Sequence, residues 1–265
     1  MKKSIYHATG LTAAVILCIG CDGDNGVSGG GGKYDPKSID MVFVEKGTFT
    51  MGCTPEQGTE CGEDEIPEHN VTLSDFYIGK YEVTQGLWKT VMEENPSKFT
   101  GNDNLPVENV SWSDVQAFIT ALNAKTGKIY RLLTEAEWEY AARGGNGGKG
   151  YKYSGSNTIG NVAWYDQNGG DKTHPAGTKA PNELGICDMS GNVWEWVSDW
   201  YSDSYYRLSL LSPVPNPTGP ASGTQRVIRG GAYDGLARYG RVSHRRYVSP
   251  AFSYPNLGLR LALSP

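Results

Sequence analysis

The sequence predicts a single α+β domain in which loops outweigh regular structure, and three observations carry that prediction. Capped segments of helical periodicity are confined to residues 84–144, short strand-like runs lie at both ends, and glycine is abundant throughout. The chain has 35 glycines in 265 residues, close to twice the usual share of ~7%, as expected of a fold built on turns. A hydrophobic content of 38% suffices for one core, and the chain contains no internal repeat or second apolar block.

Met1-Lys-Lys followed by apolar Leu11–Gly20 reads as a secretory signal, too short to span a membrane as a helix. It ends in Cys18-Ile-Gly-Cys21, which resembles a bacterial lipoprotein cleavage site with Cys21 as the acylated residue, although Cys18 stands where leucine is usual. A cut nearby by an ordinary signal peptidase is the alternative. Residues 1–20 are therefore assigned as signal peptide, 21–38 as a glycine-rich tether and 39–265 as the folded domain. The expected location is the bacterial cell envelope, by lipid anchor, with the membrane face left open.

Met41–Met51 reads as two short strands about a Lys46-Gly47 turn. Thr84 caps a helix whose apolar face is Leu87, Trp88, Val91 and Met92, ending before Asn95-Pro96. Ser111 with Asp114 opens a second, in which Val115, Phe118, Ile119 and Leu122 recur at helical spacing until Gly127. Thr134 with Glu137 opens a third, burying Trp138 and Ala141 and ending at Gly144; Glu135, Glu137 and Glu139 in it read as charge matched to the helix dipole rather than as acid-base catalysts. Beyond Gly144 loops prevail until Leu257–Leu263, whose alternation predicts a half-buried closing strand.

The formal charge of -5 argues against nucleic acid as partner. Its distribution matters more than its sum. Seven arginines face only Asp234 within residues 226–260, a net +6, against -11 elsewhere. Most of these arginines are expected to be internal partners of carboxylates, leaving a minority for an anion-binding groove. Export makes a Cys53–Cys61 bridge plausible in one polar loop, and Cys187 reads as inert core.

The run Asp188-Met-Ser-Gly-Asn-Val-Trp-Glu-Trp-Val-Ser-Asp-Trp200 places Asp188 and Glu195 among three tryptophans. Alone, it reads as a metal-free turn with Glu195 solvated or ion-paired. Together with Gly47–Gly52, Glu65–His69, Tyr77–Gln85, Leu105–Trp112, Arg131–Gly144, Asn182–Trp196, Arg226–Gly231 and Gly258–Arg260, however, it resembles the formylglycine-generating enzymes, or sulfatase-modifying factors. The resemblance runs from about Val42 to Leu261 and implies that family's α+β fold, related to C-type lectins.

The resemblance also implies where chemistry should lie. In active members two cysteines five positions apart bind copper, because soft thiolates suit copper(I). Those positions fall here on Gly235 and Gly240, and a serine position falls on Ala232. Copper is therefore not expected, and the oxidase activity of the family is expected to be lost. Two calcium sites are implied, one at Asp188, Gly191, Val193 and Glu195 and a weaker one at Asn161, Val162, Asn168 and Gly170, with Asp166 or Asp171 as compensating carboxylates. A Ser243, His244, Asp234 triad has no spacing motif behind it, and His174 is isolated.

The functional expectation is an exported lipoprotein whose domain binds an exported polypeptide or scaffolds other envelope lipoproteins. Two alternatives remain open: an enzyme that matures sulfatases or modifies other proteins with different residues, and a glycan-binding module.

Overall fold

The computed structural model describes residues 35–211 and 214–265. The assigned signal peptide, Cys21 and the tether up to residue 34 lie outside the described residues. Four strands come first: β1 (Met41–Val44), β2 (Gly47–Met51), β3 (His69–Leu73) and β4 (Phe76–Gly79). Helices α1 (Gln85–Met92) and α2 (Trp112–Thr126), strand β5 (Tyr130–Leu132), helix α3 (Glu135–Ala142) and the short α4 (Ile159–Val162) follow. The second half supplies β6 (Trp194–Trp200), α5 (Tyr205–Leu211), β7 (Arg226–Arg229), β8 (Arg245–Val248), β9 (Leu257–Leu259) and β10 (Leu261–Leu263).

The three expected helices form, with the caps that predict them. Thr84 Oγ1 accepts from Leu87 N at 3.3 Å, and Ser111 and Thr134 each make a reciprocal box with the acid three residues on. Gly127 closes α2 at φ 72°, a left-handed conformation that glycine adopts without steric cost. Packing follows from the apolar spacing. Trp88 of α1 stacks on Phe118 of α2 with ring centroids 4.6 Å apart, sealing one apolar cluster against β6 and β9. A second cluster joins α3 to β2, β3 and β4.

The strands sort into three sheets, ordered β1-β4-β10-β5, β2-β3 and β8-β7-β6-β9. Neighbours in sequence thereby part company. β1 pairs with β4, whereas β2 pairs with β3, so the Lys46-Gly47 turn passes the chain from one sheet to another. Gly47 is required there, because a Cβ would lie 2.2 Å from Tyr140 Oη of α3.

Two expectations need correction. The closing strand is neither continuous nor half-buried: β9 runs parallel to β6, β10 runs antiparallel to β4 and β5, and Gly258, Arg260 and Ala262 are all buried. Its alternation reflects a change of sheet at Arg260, with core on both sides. Helix α3 likewise has no solvent face, since every residue of Glu135–Ala142 is buried. Its carboxylates are ion-pair partners: Glu135 meets Arg245, Glu139 meets Arg229 and Arg143, and Glu137 meets Arg131.

Asp199 near the end of β6 accepts from Glu135 N at 2.9 Å, holding the first turn of α3. Burial, then the nearby Glu135 charge, push its carboxyl up to about 7. A proton held more tightly folded than unfolded stabilises fully below the unfolded pKa and is lost as pH rises through the folded one. Wild-type stability should therefore fall between about pH 4 and pH 7, a trend shared by Glu108, which burial also pushes up to about 7. Asp199→Asn should match wild type within about 1 kcal/mol at pH 5 and exceed it by roughly 1–3 kcal/mol at pH 8. Denaturant melts at the two pH values measure this, and equal differences at both would refute it.

Candidate functional site

At the end of β7 the chain turns through Gly230 and Gly231, whose φ values of 99° and 79° are left-handed. At Gly231 a Cβ would also sit 3.0 Å from the Tyr239 carbonyl. Two glycines thus let residues 232–240 fold back upon β7. Backbone contacts anchor the loop: Tyr233 N donates to Asn192 O at 2.8 Å, and Ser190 Oγ donates to Gly240 O at 2.7 Å. Gly235 and Gly240, buried in this loop, present no side chain, and Ala232 offers only a buried methyl. The loop would still accept larger residues with small shifts. A Cβ at Gly235 would lie 3.2 Å from Ala232 O and one at Gly240 3.3 Å from Ile159 Cδ1, and neither glycine has a left-handed φ.

An aromatic wall stands beside the loop. The ring of Tyr239 lies 6.2 Å from Trp194 and 5.1 Å from His244, and Trp194 lies 5.9 Å from His244. Arg238 stacks over Tyr239 at 5.0 Å, while Arg246 is 5.9 Å from both Trp194 and Tyr239. Both arginines are exposed, and neither has a carboxylate partner among the described residues. Burial lowers the His244 pKa, more than the neighbouring Glu65 raises it, so the ring is neutral at neutral pH. Over the buried Trp194, the wall therefore offers the partly exposed rings of Tyr239 and His244 and two guanidinium groups, suited to acidic or aromatic groups on a partner.

The other arginines of the basic segment are internal. Arg241 grips Glu65 at 2.6 and 2.8 Å, Arg245 grips Glu135 at 2.6 and 2.8 Å, and Arg260 grips Glu195 at 2.7 and 3.0 Å. Arg226 lies between Trp112 and Trp200, 4.1 and 3.5 Å from their rings. The internal expectation for most of these arginines thus describes them well, and the minority at the groove are Arg238 and Arg246. Glu65 lies just beyond the loop closed by the Cys53–Cys61 disulfide, whose Cα atoms are 6.1 Å apart, and its carbonyl accepts from Cys53 N at 2.9 Å. Burial would raise its pKa, but the His244 ring 3.5 Å away and hydrogen bonds from Arg241, Gly62 N and Ser243 together hold it far below the ordinary carboxylate range.

No Ser-His-Asp triad assembles. Ser243 is buried and donates to Glu65 Oε2 at 2.6 Å, and exposed Asp234 accepts from Asn256 at 3.0 Å. His174 stacks on Trp164 at 3.7 Å with Nε2 2.7 Å from Gly169 O. Cys187 is core, as are Trp194 and Trp196, while Trp200 is only partly buried.

The first calcium set is divided: Asp188 Oδ1 is buried without a hydrogen-bond partner, whereas Glu195 is taken up by other donors. Glu195 Oε1 accepts from Arg260 Nε and Nη2, and Oε2 from Arg260 Nε and Trp138 Nε1 at 2.7 Å, which fills its lone pairs. A cation there would have to displace a fully buried guanidinium. In the second set Asn168 Oδ1 accepts from Tyr165 N and its amide donates to Ala163 O, while Asp166 and Asp171 are exposed. Among the described residues no three His, Cys, Asp or Glu side chains are grouped to hold a metal.

Around Arg260 the sequence reading missed Glu82. It is fully buried and accepts from Val193 N and Asn192 Nδ2, so that Glu82, Asp188 and Glu195 face one guanidinium. Burial and crowding raise the proton affinity of two of the three carboxylates. Burial, then the Asp188 and Glu195 charges, push Glu82 well up, and burial pushes Asp188 up to about 6. Only spatial proximity could reveal this, since Glu82 lies 113 positions before Glu195.

Residues 33–265 match the family described as sulfatase-modifying factor enzyme 1-like domain. The chain is 34% identical to the chaperone protein LppX of Paenibacillus barcinonensis over 86% of this chain and 90% of that protein. It is 41% identical to the formylglycine-generating enzyme of Streptomyces coelicolor over 63% of this chain and 55% of that enzyme. Among solved structures, Treponema denticola variable protein 1 superposes with a TM-score of 0.75 at 34% identity, covering 88% of this chain and 98% of that one.

With Glu195 committed to Arg260 and Trp138, the first calcium set lacks one of its two carboxylates, and this carries an expected outcome. Adding a calcium chelator to pure protein should leave the melting temperature unchanged, because only a ligand that binds the folded state adds stability by mass action. Arg260→Met should cost about 3–5 kcal/mol, the effect of leaving buried carboxylates without their counter-charge. A drop in melting temperature with chelator, restored by calcium, would reinstate a cation at this place.

Proposed function

The chain belongs to the sulfatase-modifying factor family, and from that premise we propose that it is a non-catalytic, polypeptide-binding member held at the bacterial cell envelope by a lipid on Cys21. The observation that carries the reading is the content of the loop where active relatives hold copper. Gly235, Gly240 and Ala232 supply no thiolate or hydroxyl there, yet the loop is firmly anchored and flanked by Trp194, Tyr239, Arg238 and Arg246. Such a surface recognises rather than transforms. An extended segment laid along the loop would set aromatic side chains on the rings and carboxylates against the two guanidinium groups. The relative named as a chaperone and those named as formylglycine-generating enzymes support a polypeptide as the partner class.

Two expected outcomes test the proposal. The protein with copper and oxygen should form no formylglycine in a cysteine-containing sulfatase peptide, and Gly235→Cys with Gly240→Cys should gain copper binding, since the loop can admit both side chains. Product formed by the unmutated protein, and lost when metal is removed, would overturn the non-enzymatic reading.

Binding is the second test. A labelled extended peptide bearing aspartates and aromatic residues should bind, as read by fluorescence anisotropy, more tightly than its lysine-substituted counterpart. Arg246→Glu should weaken it roughly tenfold, with weaker binding at high salt because exposed charges are screened. Equal affinity for the two peptides would remove the charge recognition.

A further inference from the structure

A second site lies away from the loop, where α2, β5 and the start of α3 meet the end of β10. The cavity there measures about 620 Å³, within the roughly 300–1,000 Å³ typical of small-ligand pockets. None of its lining residues belongs to the loop at Gly235 and Gly240 or to the aromatic wall beside it. Trp112, Ile119 and Leu132 give it an apolar side. Gln116 and the Arg131–Glu137 pair, bidentate at 2.7 and 2.8 Å, give it a planar polar one.

Two lining side chains carry polar atoms that are buried and have no partner within the chain: Trp112 Nε1 and Tyr130 Oη. Next to them Arg226, stacked on Trp112, leaves Nε equally without a partner. Buried polar groups in folded proteins are nearly all hydrogen-bonded. Two such atoms on lining residues, with Arg226 Nε behind Trp112, point to a ligand rich in hydroxyl groups, which can both donate and accept. Charge narrows the class further. Arg131 is neutralised by Glu137, and Asp75 adds a carboxylate at the wall, so the cavity disfavours anions.

We propose that this cavity is a binding site for a neutral saccharide of one or two rings, independent of the polypeptide groove. The apolar face of a pyranose would pack on Trp112, Ile119 and Leu132, while its hydroxyls meet Gln116, Glu137 and Arg131, with Trp112 and Tyr130 supplying donors as the cavity adjusts. Aromatic stacking combined with planar bidentate partners is the chemistry that fits such an amphipathic ring.

The test uses the full-length protein. Glucose, mannose, N-acetylglucosamine and their disaccharides are titrated and followed by saturation-transfer NMR and calorimetry, with glucuronate as the charged control. At least one neutral sugar should bind with a Kd on the order of 1 mM or below, and glucuronate should bind less well than glucose. Trp112→Phe, which keeps the aromatic face and loses the indole donor, and Gln116→Ala, at a side chain with no hydrogen bond in the fold, should each weaken binding roughly fivefold or more. Melting temperatures should hold, and Arg246→Glu should leave sugar binding intact. No binding by any neutral sugar, indifference to both variants, or loss with Arg246→Glu would each overturn the proposal. Failure of the groove proposal would leave this result untouched, because the two sites share no residue.

Discussion

The buried guanidinium–carboxylate pair is the interaction on which this fold rests. Glu65 and Arg241 are 176 residues apart in sequence, Glu135 and Arg245 110, and Glu195 and Arg260 65. Each pair is almost wholly removed from water and each joins a different early segment to the last 40 residues. No strand exceeds seven residues among those described, so sheet registers alone hold distant segments weakly. A buried guanidinium left without its carboxylate costs about 3–5 kcal/mol. The pairs therefore specify which loop meets which strand far more sharply than apolar contact could.

That scaffold also sorts the basic segment by role. Four arginines of residues 226–260 are consumed by Glu139, Glu65, Glu135 and Glu195, and a fifth by stacking between Trp112 and Trp200. Arg238 and Arg246 remain exposed beside an aromatic wall. The Cys53–Cys61 loop is drawn into the same system through Arg241, which donates to Glu60 O, and through Glu65 just beyond it, whose carbonyl accepts from Cys53 N and whose carboxylate accepts from Ser243. The groove wall and the acidic N-terminal loop thus form one connected unit. Gly235 and Gly240, which add no side chains, leave this unit intact, because the loop is held by its backbone and by Arg241.

Burial turns single letters into different physical statements. Glu195 between two tryptophans could be ligand, surface charge or ion-pair partner, and only the approach of Arg260 and Trp138 decides it. Asn168 could be a ligand or a turn residue, and the approach of Tyr165 N–H takes one of the two lone pairs of its amide oxygen. Glu82 gives no signal at all in the sequence, yet its carboxyl shares one guanidinium with Asp188 and Glu195. Each of these outcomes depends on atoms brought together from distant positions.

The sequence by itself determined the local elements and the family. Caps at Thr84, Ser111 and Thr134 act within four residues, so α1, α2 and α3 stand where the side chains put them. The ordered phrases from Gly47 to Arg260 carry the family resemblance, and the glycines at 235 and 240 were legible without coordinates. Tertiary structure alone decided that β1 and β2 enter different sheets, that Leu257–Leu263 divides at Arg260, and which carboxylate meets which arginine. Caps and periodicity are short-range and written in neighbouring residues. Ion pairing, sheet membership and cavity lining depend on which distant segments share a dry interior, and that is settled only when the whole chain has packed.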